Sequence, residues 1–492
     1  MIFINHHEIV CDQQERLEPW TTYDQIIRLA MNFIKDCPID PANGLPWYLQ
    51  YSCFWTDPLR PTIWPDNPAG KFAWAVTTLL KYYPYSGEAI YIEIVRTMLD
   101  RLLEYIVPEG NDWAGAPYAS AKPGTGVYYG DRADGEYATE PDKVAQVGRA
   151  LVDFYEISGE EKYLAASQRC ADVLLAHLRP GDCDHSPVPF RVNVCSGSVI
   201  EEYSAHMISL VNLFDELTRL GIKGYNEASG QVLQWILDYP LQNNIWKGYF
   251  EDIRLDPTND NRDQLTALET ARYLLRVRPS QVNWQKVVPA LIEWVKENLA
   301  AAPFFGADSI HEQKYCYFVM GSHTARYASL CAQWAEISGD AEYAERAKRS
   351  LNWASYMAAE DGTVTVGIDK PDYYNQCWFT DGYFDYVPHF IDCMAALPKM
   401  APTKKDHLLS STTVIKKIEY QPGCIRYTPF DLCGQQKLRI CFTPQVVTSG
   451  GVVLPRLQEP CNQAEGWYFE SKGNVLRIFH HLGEVEILEG NN

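Results

Sequence analysis

Apolar residues recur at helical spacing from Val144 through Val147, Leu151 and Phe154 to Tyr155. Thr139 reads as the N-cap, Pro141 suits the first turn, and Glu140 and Asp142 complement the positive end of the helix dipole. The pattern stops at Ile157-Ser158-Gly159, and a second amphipathic stretch begins at once, with Tyr163, Ala166, Cys170, Val173, Leu174 and His177 on one face. The unit is a long polar loop, a helix, a tight Ser-Gly turn and an antiparallel helix. It recurs. Glu336-Ile337-Ser338-Gly339-Asp340 followed by Tyr343 copies Glu156-Ile157-Ser158-Gly159-Glu160 followed by Tyr163, and Tyr85-Ser86-Gly87-Glu88 is a weaker copy. Such a period marks an array of helical hairpins.

The same reading predicts helices near 22–34, 69–82, 89–106, 199–220, 227–237, 262–275, 284–299, 316–337, 341–357 and 382–397. Six helices each follow a long loop, and six alternate with them. Antiparallel hairpins then place all six long loops at one end and the Ser-Gly turns at the other, so function belongs on the loop side. From about Ser410 the pattern turns to β-branched and aromatic runs, among them Lys437–Phe442, Gly466–Phe469 and Val475–Phe479, separated by turns such as Pro422-Gly423. The expected fold is mainly α, an (α/α)6 toroid of six hairpins over 1–402, followed by a small antiparallel β-sandwich-like domain over 410–492. Thr403-Lys404-Lys405-Asp406 is the linker.

This architecture resembles the (α/α)6-toroid glycoside hydrolases and polysaccharide lyases over about 20–400. Within that group it is similar to bacterial families acting on uronic-acid sugars, the unsaturated glucuronyl hydrolases and β-glucuronidase relatives. The glucuronyl hydrolases carry an Asp at the start of an inner helix, and Asp142 stands in a comparable place. The resemblance implies a glycoside hydrolase, with a lyase as the second reading; helical toroids also include epimerases.

Composition narrows the partners. A net charge of −20 argues against nucleic acid and anionic membranes. No run of residues is apolar enough to span a bilayer, and Met1–Glu8 lacks the features of a signal peptide. The 14 Cys include no C-x-x-C pair, and Cys170, Cys331 and Cys393 fall on apolar helix faces, which favours buried thiols in the cytoplasm. A trimmed export signal would instead place the chain in the periplasm or outside the cell. Aromatic residues make up 13%, enough to line a sugar cleft as well as fill cores. No phosphate loop, dinucleotide fingerprint or nucleophile elbow is present, so no cofactor is expected. Asp182-Cys183-Asp184-His185 lacks the spacing of a metal cage. The expected partner is an oligosaccharide; self-association into a homo-oligomer stays open.

Hydrolysis of a glycosidic bond needs two carboxyls, one of them protonated near neutral pH. Glu201-Glu202-Tyr203 is the sharpest candidate, read as opening an inner helix with Ser198 as its cap, so that only one of the two Glu faces the mouth. Asp142 and Asp263 open neighbouring inner helices and supply the partner carboxyl, with Asp260 and Asn261 read as the cap before Asp263. Lys143 and Arg262 suit a substrate carboxylate. Asp131, Asp134 and Glu136 lie in the acidic loop before the first helix described above. His323 occupies the place of Lys143 when the Ile-Ser-Gly turns are aligned; with Tyr315, Tyr317 and Arg326 it makes a lyase-like set for β-elimination. Trp378, Asp381 and Tyr383 open the sixth inner helix as a sugar platform with a hydrogen-bonding acid, and Trp64 and Asp66 do the same before the first. A third reading is a carbohydrate-binding protein without turnover.

Overall fold

The computed structural model describes residues 1–41, 44–49, 54–56, 60–62, 68–118, 137–248, 260–315, 318–368, 377–460 and 464–490. Among these, twelve α-helices form six hairpins. The inner helices are α2 (Pro68–Ser86), α4 (Pro141–Ser158), α6 (Ile208–Arg219), α8 (Gln264–Val277), α10 (Gly321–Ser338) and α12 (Val387–Ala396). The outer ones are α1 (Tyr23–Lys35), α3 (Ile90–Leu102), α5 (Glu161–Ala176), α7 (Asn226–Ile236), α9 (Trp284–Leu299) and α11 (Ala341–Ser355). Each inner helix packs on the next in chain order, and α12 packs back on α2, so the ring is closed.

Local chemistry explains the hairpins. Thr22 caps α1 by accepting from the Gln25 N–H. Gly159 and Gly339 end α4 and α10 in the left-handed conformation, at φ 69° and 74°, where a Cβ would be strained. Gly148 allows the close packing of α4: a Cβ there would lie 2.7 Å from Leu213 Cδ2 and 3.2 Å from Cys170 Cβ. Cys170, Cys331 and Cys393 are buried free thiols.

Several boundaries differ from expectation. Residues 199–201 are a strand, and α6 starts only at Ile208. The short sheet of β7 (Ala138–Thr139), β8 (Arg191–Asn193) and β9 (Val199–Glu201) explains this, because the β-branched Val192 and Val199 pair across it. Thr139 belongs to β7 and donates to the Pro117 carbonyl (2.6 Å) instead of capping α4. Ser198 likewise caps no helix. The α8 cap is Asp263 itself, in place of Asp260 or Asn261. Helix α10 begins at Gly321, so residue 315 precedes it by a loop. The sixth inner helix is broken: a wide helical turn, Phe379–Phe384, precedes α12, which starts where Pro388 fits its first turn.

Elsewhere the strands are short. β1 (Phe3–Ile4) pairs with β2 (His7–Glu8), β3 (Val10–Cys11) with β4 (Leu17–Glu18), and β5 (Phe54–Thr56) with β6 (Arg60–Thr62). The N-terminal segment ties down α11: Arg349 and Asn352 both donate to the Leu17 carbonyl, at 2.8 and 2.7 Å.

The C-terminal region holds two antiparallel sheets. One is ordered β10 (His407–Ser411), β13 (Gly434–Arg439), β17 (Val475–His480), β16 (Gly466–Glu470). The other is ordered β11 (Ile415–Gln421), β12 (Cys424–Pro429), β18 (Val485–Glu489), β14 (Pro444–Ser449), β15 (Val452–Val453). They enclose Ile425, Leu438, Val447, Leu476 and Ile487, and Tyr83 of α2 joins this core. The sheets lie across the turn end of the toroid. His407 stacks on Tyr85 (centroids 4.0 Å apart), Phe430 meets Tyr155, Asp431 pairs with Arg219 (3.1 Å), and Arg439 donates to the Pro398 carbonyl (2.6 Å). The end opposite to the long loops is therefore covered.

Candidate active site

The first turns of the inner helices converge on the loop end. On one side, Arg191 of β8 is fully buried between two carboxylates: its Nε lies 3.1 Å from Glu140 Oε1 and its Nη1 2.9 Å from Glu201 Oε2. Lys143, also fully buried, lies 3.5 Å from Glu140 and 3.2 Å from Asp142. Alternation along the strand separates the two adjacent acids. Glu201 turns inward at 8% exposure, whereas Glu202 is half-exposed and bonded to Arg179 (2.5 Å).

Asp263 caps α8, its Oδ1 accepting from the Thr266 N–H at 2.9 Å. Its Oδ2 is buried and, among the described residues, has no hydrogen-bond partner. Burial pushes this carboxyl up to about 7, against the lowering effect of the Thr266 hydrogen bonds and the Lys143 charge. A carboxyl of this kind is half protonated at neutral pH and can donate a proton there.

His206 precedes α6 and bonds Gln146 through Nε2 (2.9 Å). Burial holds it well below the usual histidine range, helped by Lys143, and Glu269 and Arg326 also act on it. One imidazole thus senses α4, α8 and α10, which places it facing the axis.

Arg326 forms the floor of the cluster, one turn further along α10 than His323. It is fully buried, pairs with Glu269 of α8 and with Asp385, and lies 4.7 Å from the Trp74 ring centroid on α2. Burial alone would raise Asp385, but the Arg326 and His389 charges hold it well below the usual carboxylate range. His389 Nε2 lies 3.1 Å from Asp385 Oδ1, and burial lowers that histidine to about 4. His323, third residue of α10 as Lys143 is of α4, bonds Gln264 through Nδ1 (3.0 Å), with Asp385 Oδ2 at 3.7 Å. Burial lowers it to about 3, so it is neutral at ordinary pH.

The structure therefore gathers Asp142, Lys143, Glu201, Asp263 and His323 at one end. Tyr203 lies beside them, donating to the Ile245 carbonyl (3.0 Å) with Lys247 Nζ 5.4 Å from its ring centroid. Arg262 instead faces outward, held by both oxygens of Asp260 (3.1 and 2.8 Å) and by Asn298. Tyr315 is half-exposed, under Lys314. Trp378 packs on Phe318, Met320 and Val366, and Asp381 lies in the turn before α12, half-buried. Trp64, Asp66, Asp131, Asp134, Glu136 and Tyr317 lie outside the described residues. Among the described residues, the compact group of metal-ligand types is Asp182, Cys183 and Asp184, and it is exposed.

Sequence reasoning missed Arg191, His206, Gln264, Glu269, Asp385 and His389 as members of this end. His389 and Asp385 carried a usable signal, their i,i+4 spacing. Arg191 carried none, because the strand that orients it was not expected.

The class follows from this geometry: the chain is an (α/α)6-toroid protein with an antiparallel sheet region at its C-terminus. No family model and no curated protein matches the sequence. Solved structures do share the fold. Cellobiose 2-epimerase from Spirochaeta thermophila is similar with a TM-score of 0.56 and 11% identity, over 77% of this chain and 98% of that one. A D-mannose isomerase gives 0.57 and 14%, over 76% and 97%. A family 76 glycoside hydrolase from a bovine Bacteroides thetaiotaomicron strain gives 0.51 and 12%, over 77% and 78%. Among the described residues, no helix is long and apolar enough to cross a membrane.

Proposed function

We propose that the chain is a glycoside hydrolase that cleaves an oligosaccharide held in the loop-end mouth, with Asp263 as general acid. The observation that carries this reading is the Asp263 carboxyl: buried, bare at Oδ2, and poised near pH 7. Asp142 is the second carboxylate, with Lys143 acting electrostatically on both. In this scheme Asp263 protonates the departing glycosidic oxygen while Asp142 serves as base toward water or as nucleophile. The finer form of the proposal is an acidic sugar at the cleaved bond, as in a β-glucuronidase, whose carboxylate would compete with Glu140, Asp142 and Glu201 for Lys143 and Arg191. The fold's occurrence in sugar epimerases, a sugar isomerase and a glycoside hydrolase supports a carbohydrate substrate.

One observation favours a second reading. His323 is neutral, and among the described residues its Nε2 has no hydrogen-bond partner; with the ring proton on Nδ1 this atom suits removal of a proton from a sugar carbon, as in a lyase or an epimerase. A panel of neutral and uronate-containing oligosaccharides separates the readings. Hydrolysis releases reducing ends without an unsaturated, ultraviolet-absorbing product; elimination yields that product; epimerisation changes the sugar without cleavage. Binding without any turnover would leave a carbohydrate-binding protein and overturn the enzyme reading.

A further inference from the structure

We propose that Gln264 and His323 act together as a diol-reading pair, specificity-determining residues that recognise two neighbouring hydroxyls of the bound sugar. This rests on the reading of the mouth as a sugar site. The two residues open adjacent inner helices, α8 and α10, and a single bond of 3.0 Å between the Gln264 amide and His323 Nδ1 fixes both. Gln264 is 2% exposed and His323 6%. Even so, among the described residues Gln264 Oε1 and His323 Nε2 have no hydrogen-bond partner. Two buried polar atoms without partners, on residues that are bonded to each other, are costly in an empty protein and useful in a liganded one.

The pairing itself sets the complementarity. If the amide NH2 donates to Nδ1, the imidazole proton is on Nε2, so the bare atoms are a donor, Nε2–H, and an acceptor, Oε1. If the amide is turned over, Nδ1–H donates to Oε1, and the bare atoms are an acceptor, Nε2, and the amide NH2. Either way the bonded pair leaves one donor and one acceptor. A vicinal diol matches that pair, one hydroxyl accepting and its neighbour donating. Asp385, the carboxylate nearest to His323, is already engaged by Arg326 and His389.

The surroundings agree. Asp263 Oδ2, Ser322 Oγ and Gln313 Nε2 are buried and, among the described residues, without hydrogen-bond partners. Asp263 and Ser322 adjoin Gln264 and His323 in the chain, and Gln313 is held through its Oε1 by Asn261 (2.6 Å). The cation nearest to this pair in the ring, Arg326 of α10, is already engaged by Glu269 and Asp385.

The test measures binding of D-glucose, D-mannose, D-galactose and D-glucuronate, and of their monodeoxy analogues, to the full chain by ligand-observed NMR and calorimetry. Wild type should lose at least about tenfold in affinity when either of two adjacent hydroxyls is removed. In Gln264→Met that penalty should vanish at one of those positions and persist elsewhere; His323→Gln, which keeps a donor and an acceptor, should retain part of it. A thermal melt establishes that each variant is folded, and either variant alone suffices for the comparison. An unchanged deoxy pattern in a folded Gln264→Met or His323→Gln would overturn the pair while leaving the sugar site standing. Absence of binding by every sugar to wild type would overturn the sugar-site reading and the pair with it.

Discussion

The Arg326 guanidinium lies 4.7 Å from the Trp74 ring centroid, although α12 stands between their helices in the order of the ring. With Glu269 and Asp385 as ion partners, this one side chain joins α8, α10, α2 and the turn before α12. It ties four elements of the ring together.

Such a buried charge is costly once a partner is lost. Asp385→Asn should destabilise the chain by about 3–5 kcal/mol, measured by urea unfolding. A loss under about 1 kcal/mol would show that the floor does not depend on this pair.

The strand at 199–201 separates the effects of two adjacent acids. Glu202→Ala should change stability by less than about 0.5 kcal/mol, as exposed sites do. Glu201→Gln leaves Arg191 with one carboxylate partner fewer and should cost at least about 2 kcal/mol. Equal effects would contradict the inward and outward assignment.

Tight contact around α4 gives a packing test. Gly148→Val puts methyl groups beyond a Cβ already 2.7 Å from Leu213. Overpacking of this kind should lower stability by about 1–3 kcal/mol or more in chemical denaturation. An unchanged midpoint would mean that α4 and its neighbours are loosely packed.

Stability should also fall with acid. Burial lowers the folded-state values of His389 and His407 to about 4, below the ordinary histidine value. Between about 6.5 and 4 the unfolded chain binds more protons, so this contribution is complete above about 6.5 and is lost as the pH falls toward 4. Unfolding free energies at pH 7.5, 6 and 5 should decrease in that order. Asp263 acts in the opposite sense. Its raised value means that the Asp263 contribution alone is lost as the pH climbs from about 4 to 7, which offsets part of the histidine effect, and Asp263→Asn, still able to cap α8, should be the more stable protein at pH 8.

Much of the ring was legible because repetition amplifies a weak signal. The copies of Ile-Ser-Gly end helices for one steric reason, a left-handed residue after the last turn, and amphipathic spacing supplied the rest. The mouth was less legible. Val199-Ile200 fits a helix or a strand by apolar pattern alone, and the decision is made by pairing with residues 191–193. That decision set which Glu points inward and created the Arg191 site. Asp263, Asp142, Lys143 and His323 could be placed at helix starts because acids, bases and caps there are visible in one dimension. Gln264 and Arg326 matter through neighbours about 60 positions away, which no local pattern reports.

The central claim is that a protonated Asp263 drives glycosidic cleavage in the mouth, and reducing-end release by wild type and Asp263→Asn on the oligosaccharide panel tests it most directly. Wild type should release reducing ends at a rate that declines above about pH 7, where Asp263 loses its proton. Asp263→Asn should be folded and at least about 100-fold slower at every pH. A folded Asp263→Asn that matches the wild-type rate, or a wild type that releases none, would contradict the account.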